Sequence, residues 1–300
     1  MNNDCSGLNN FEKQSNNKIN FSYGKNKTQR HNYEKNGQKN SSPKNILNIY
    51  KNINSYSSQK YEYLENKELI NDNLNELFTI SLSTFYIENF LSLNLIKKIK
   101  NNSEQEIKIF EKQEIFKMKL EINKRLNQLN NDYNMIYNIS NILDQYNKNY
   151  IFIDIFVIKI IEQSLIQVSR YQESYKQYST LFKFLYSDEL FLYYKYKLFS
   201  TKTNEEGIKG IYSVYFGLIL ECEMLDEAWT FIAGLLNGNE QEKNYTVLET
   251  YLTILGNFLN CKIPKYFKKL LNYIIIYIVD KIEKAPLKFR IESKIKEFLT

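Results

Sequence analysis

The chain has 300 residues, 43% of them hydrophobic and 25% charged, with only 9 Gly and 3 Pro. That length suits one large domain or two small ones, and so few turn punctuators argue against many short strands. A net charge of +6 fits work near nucleic acid or polyphosphate, although a solubilising surplus of lysine gives the same balance, and the single His31 excludes a histidine general base or a zinc site built on several histidines.

Tyr, Phe, Asn, Lys and Ile are all abundant, as codon bias in an AT-rich genome produces, so their enrichment carries little functional message. Residues 1–64 are dominated by Asn, Lys and Ser, with apolar residues scattered singly. Such a segment buries too little surface to offset its ordering entropy and is expected to be disordered, unless residues 46–50 serve as a short docking peptide. A linker helix or helices is expected over 65–103. There Leu69, Leu74, Leu77, Phe78, Leu82, Phe85 and Phe90 approximate the i, i+3, i+4 rhythm of one helix face.

Residues 104–300 read as one helical domain. Ser103-Glu104-Gln105-Glu106 has the form of a capping box ahead of Ile107, Phe110, Ile115, Met118, Ile122, Leu126 and Leu129. Further helices are expected near 133–146, 150–169, 174–187, 189–199, 206–222, 225–237, 245–260, 264–283 and 287–299. Asp226 reads as part of a capped helix start, Asn237-Gly238 as a stop, and Pro264 and Pro286 as helix starts. The Ile-rich stretch 273–279 has strand propensity, but the periodicity of Phe267, Leu270, Leu271 and Ile274 around it favours a buried helix. The expected fold class is therefore all-α, a HEAT-like or MIF4G-like helical stack without an exact repeat period. The apolar runs 151–161 and 270–279 fall short of the roughly 18 residues that span a bilayer, so no membrane span is expected and the protein reads as soluble and intracellular.

No catalytic constellation emerges. Gly207-Ile208-Lys209-Gly210 lacks the ending of a phosphate-cradling loop, and Cys222 and Cys261 have no histidine partner nearby in sequence. The pairs Glu205-Glu206 and Asp188-Glu189 point to different helix faces, as capping or solvated residues do. The chain is thus expected to be non-enzymatic. Trp229 reads as core, and Gly210 and Gly256 as close helix-packing sites. Lys183, Lys195, Lys197 and Lys202 gather near Tyr193, Tyr194 and Tyr196; they either complement a helix C-terminus or form part of a polyphosphate pocket. The basic run 262–269 opens a helix at Pro264, where cations oppose the dipole. It reads as a solvated face or an RNA-binding one.

Over roughly residues 105–300 the chain resembles the Gle-one family of nuclear-pore mRNA-export factors. The resemblance is carried by Glu206-Gly207-Ile208-Lys209-Gly210-Ile211-Tyr212-Ser213-Val214-Tyr215 and by Ala228-Trp229-Thr230-Phe231-Ile232-Ala233-Gly234-Leu235-Leu236-Asn237. Thr246-Val247-Leu248, Leu255-Gly256-Asn257-Phe258-Leu259 and Tyr266-Phe267-Lys268-Lys269-Leu270-Leu271 follow in the same order, and Ile160-Ile161-Glu162-Gln163 lies upstream. The resemblance implies a helical domain at the cytoplasmic face of the nuclear pore, present in nucleus and cytoplasm. Its implied partners are a DEAD-box RNA helicase, whose ATP turnover and RNA release it activates, and nucleoporins, with RNA met only through the helicase. Inositol hexakisphosphate is the implied cofactor, with Lys159 and Lys197 at the family's pocket positions. Lys197-Leu198-Phe199-Ser200 lacks the family's Cys-Pro, and the loop between Thr203 and Glu206 is short; both departures bear on that cofactor. An adaptor of the same fold in translation or RNA metabolism is the alternative reading.

Overall fold

The computed structural model describes residues 78–299. The polar segment expected over 1–64 and the docking peptide at 46–50 lie outside the described residues. Among those residues there are α-helices with short π and 3-10 turns and no strand, an all-α helical stack.

The first described stretch corrects the reading of one continuous helix face through Leu82 and Phe85. Residues 78–83 are not helical, and α1 spans only Thr84–Phe90. Phe78 to Leu82 are nonetheless buried, so their backbone groups need partners from elsewhere. Three helix ends supply them. The Thr79 amide donates to the Phe199 carbonyl at 2.8 Å, and the Ser83 amide to that of Gly234 at 2.9 Å. The Asn244 side chain grips Ser81 on both sides, accepting from its amide at 3.0 Å and donating to its carbonyl at 2.9 Å. Tertiary partners thus override the local period.

A second correction concerns the start of the next helix. α2 spans Leu93–Ile109 and runs through Ser103, which is buried inside it and caps nothing. The capping box is instead made by Glu111 and Glu114, where α3 (Lys112–Asn127) begins. From there the expected elements appear within a few residues: α4 (Tyr133–Asp144), α5 (Tyr150–Gln163), α6 (Tyr175–Phe184), α7 (Asp188–Ser200), α8 (Glu205–Glu221), α9 (Leu225–Leu236), α10 (Glu242–Lys262), α11 (Pro264–Tyr277) and α12 (Ala285–Leu299). A π-turn, Ser164–Val168, extends α5. Asp226 falls in the first turn of α9, whose N-cap is Met224 without a side-chain bond. Trp229 is half-buried and stands outside the core, against expectation.

α8 is buried almost all round, which marks it as the central helix. Its N-cap Asn204 accepts from the Gly207 amide at 2.9 Å, and Glu205 and Glu206 complement the dipole. α6, α10 and the π-turn pack around it. Gly210 permits that closeness: a Cβ there would overlap the Ser164 carbonyl and come within 2.9 Å of the Ser169 amide nitrogen. Gly256 of α10 likewise meets the Phe298 ring of α12. Phe231 sits amid the aromatic centre of this core, with ring centroids 5.3 Å from Phe216, 5.4 Å from Tyr215 and 6.1 Å from Tyr86.

Candidate functional site

α2, α5 and α7 pack against one another. The apolar side of α5, with Phe152, Phe156 and Ile160 fully buried, fixes its rotation, so Asp154, Lys159 and Glu162 are carried away from the core. α7 is set by its N-cap Ser187, which accepts from the Leu190 amide at 3.1 Å, and by buried Leu190, Tyr194 and Leu198. Tyr193, Tyr196 and Lys197 then reach the same edge.

The polar groups there make three sets of contacts. The Tyr193 hydroxyl donates to Asp154 Oδ1 at 2.5 Å, and Lys197 Nζ lies 3.6 Å from that oxygen and 5.3 Å from the Tyr193 ring centre. Lys100 of α2 donates to the Tyr196 hydroxyl at 3.1 Å, with its ammonium 4.6 Å from the ring centre. Lys159 pairs with Glu162, one turn on in α5, at 3.2 Å. Burial raises the Tyr193 phenol, and its bond to Asp154 and that carboxylate's charge raise it further, so the hydroxyl stays protonated and donates.

Lys197 thus pairs with Asp154, Lys159 with Glu162, and Lys100 with the Tyr196 hydroxyl. Lys159 and Lys197 are partly exposed, and such ion pairs contribute at most about 1 kcal/mol each, so an incoming anion can redirect both lysines cheaply. The edge suits a phosphate-bearing ligand held by charge-assisted hydrogen bonds. Lys100 had no sequence signal, because its place depends on how α2 meets α7.

The lysine cluster read from sequence does not converge. Lys183 reaches Glu221 at 3.5 Å, Lys202 donates to the Phe78 carbonyl at 3.1 Å, and Lys195 is buried. Lys195 pairs with Glu227 at 2.7 Å and donates to the Phe90 carbonyl at 3.3 Å. Glu227 also accepts from Tyr86 at 2.9 Å and Tyr215 at 2.5 Å. Burial pushes the Lys195 ammonium below its ordinary value, opposed by the Glu227 charge and hydrogen bond. That network ties α1, α7, α8 and α9 together and offers nothing to a ligand. Among the described residues no group of three or more His, Cys, Asp or Glu could hold a metal, and no helix is long and apolar enough to cross a membrane.

No family model matches the chain, and no curated protein matches it either. Solved structures do. A chain of a yeast (S. cerevisiae) complex, a variant Dbp5 C-terminal domain bound to a variant Gle1 and IP6, superposes with a TM-score of 0.56 at 15% identity, covering 69% of this chain and 91% of that one. In a second complex, the variant Dbp5 domain bound to Gle1 and IP6, the TM-score is 0.55 at 15% identity, with 72% and 94% covered. The fold is shared. At this identity the likeness speaks for the architecture alone.

Proposed function

We propose that this chain is a non-enzymatic activator of a DEAD-box RNA helicase in messenger-RNA export. It works at the cytoplasmic face of the nuclear pore beside nucleoporins, in nucleus and cytoplasm, and meets RNA through the helicase. The observation that supports this reading is the helical stack it has in common with a chain of the Dbp5–Gle1–IP6 complexes. The order of apolar and glycine positions along α8 to α11 points the same way.

A helical scaffold acts by differential binding. Gripping the RNA-released arrangement of the helicase lobes about 1.4 kcal/mol more tightly than the RNA-bound one shifts their equilibrium tenfold. Inositol hexakisphosphate enters at the α2–α5–α7 edge, where Lys159 and Lys197 turn from Glu162 and Asp154 toward its phosphates and Lys100 adds a third ammonium.

Calorimetric titration of this chain with the C-terminal domain of the cognate helicase tests the reading. Binding is expected, tighter with inositol hexakisphosphate, and the double substitution Lys159→Glu/Lys197→Glu removes the tightening. Absence of binding with and without the polyphosphate refutes the proposal; tightening that survives the substitution refutes the pocket.

A further inference from the structure

α11 buries Phe267, Leu271 and Ile274 against its neighbours α10, α12 and the 3-10 turn Val279–Lys281. Its opposite face carries Lys265, Lys268 and Lys269, then Tyr273, Ile276 and Tyr277, all exposed. Lying three, four, eight, eleven and twelve residues beyond Lys265, the other five share with it the half of the helix opposite the buried one over about 18 Å, a stripe basic at its start and apolar at its end.

Folding explains neither half. The lysines occupy the first turns of the helix, where cations oppose the macrodipole, and α11 contains no acidic residue that would offset them. Among the described residues none of the three makes an ion pair, whereas the nearby Lys262, Lys281, Lys284 and Lys288 each pair with a carboxylate. At the other end Ile276 is 63% and Tyr277 55% exposed, and the Tyr273 and Tyr277 rings lie 5.0 Å apart. Apolar surface held in water next to uncompensated charge is the composition of a docking face.

We propose that this face docks an acidic amphipathic protein segment. Its carboxylates meet Lys265, Lys268 and Lys269, and its apolar side chains cover Tyr273, Ile276 and Tyr277. Charge complementarity selects the occupant. RNA could stack a base on Tyr273 or Tyr277, but it would leave the exposed Ile275 and Ile276 uncovered, whereas apolar side chains of a peptide cover them. The stripe is small, so the contact is transient and salt-sensitive. It uses no residue of the α2–α5–α7 edge and stands whether or not the helicase is the partner there.

Fluorescence anisotropy of the full chain tests this with a labelled synthetic helix that carries glutamates in one half and leucines and phenylalanines in the other. Saturable binding that weakens with salt is expected. It falls roughly tenfold or more in Lys265→Glu/Lys268→Glu/Lys269→Glu and again, independently, in Ile276→Asp. Melting curves of both variants stay close to the parent, because all four side chains are exposed. Equal affinity in either variant overturns the proposal. So does tighter binding of the same lysines to a labelled uridine oligomer or to phosphatidylserine vesicles than to the peptide.

Discussion

Lys195 and Lys197 stand two residues apart on α7, about 200° around its axis, and meet opposite surroundings. Lys195 points inward, buried with Glu227 and roofed by the Tyr86 and Phe191 rings at 5.2 and 5.5 Å. Lys197 points outward to a solvated edge and leans on Asp154. The first is a lock in the core, and the second is a charge available to a ligand. Helix phase separates the two roles, which charge and proximity in sequence cannot.

The strongest way to break this contrast is to remove the inner lysine. Lys195→Ala leaves a carboxylate buried without its cation and should cost about 3–5 kcal/mol, read as a lower urea midpoint. Lys195→Met combined with Glu227→Gln should recover more than half of that loss, since Tyr86 and Tyr215 keep an acceptor. A cost below about 1 kcal/mol for the single substitution would remove the lock from the account. Next comes the clasp on the non-helical segment 78–83. Asn244→Ala orphans the buried Ser81 amide and carbonyl and should cost about 2–4 kcal/mol by the same measurement.

A third test sharpens the comparison by pH. Glu249 on α10 pairs with Lys209 at 2.9 Å and accepts from Arg290 Nη2 at 3.3 Å. Burial raises its carboxyl, but the hydrogen bonds and charges of Arg290 and Lys209 outweigh burial and hold it below the ordinary carboxylate value. The folded value lies below the unfolded one. Its stabilisation is therefore full above the usual carboxylate range and is lost as pH falls through the depressed value. Melting temperatures of wild type and Glu249→Gln should differ at neutral pH and converge in acid. The smallest effect belongs to the outer lysine: Lys197→Ala should cost less than about 1 kcal/mol of stability in urea unfolding.

Much of the architecture was legible because long helices with buried faces announce themselves by their period. α4 through α12 fall where apolar spacing places them, and Gly210 and Gly256 do lie at close helix contacts. The misreadings share a cause. Phe78 and Leu82 keep helical spacing, yet the chain there is not helical because helix ends and Asn244 satisfy its backbone. Ser103 has the right neighbours for a cap, but α2 begins ten residues earlier, at Leu93. Trp229 looked like core and is half-buried. The surroundings of the candidate site were not legible. Lys159 and Lys197 enter it through the family resemblance alone, and the contacts of Lys100 with Tyr196 and of Tyr193 with Asp154 depend on how three helices meet.

The measurement that bears most directly on the account is the RNA-stimulated ATPase rate of the cognate DEAD-box helicase, titrated with this chain with and without inositol hexakisphosphate. The account predicts a saturable rise in rate, enlarged by the polyphosphate, with that enlargement lost in Lys159→Glu/Lys197→Glu. A rate unchanged at saturating chain, with and without the polyphosphate, would contradict it.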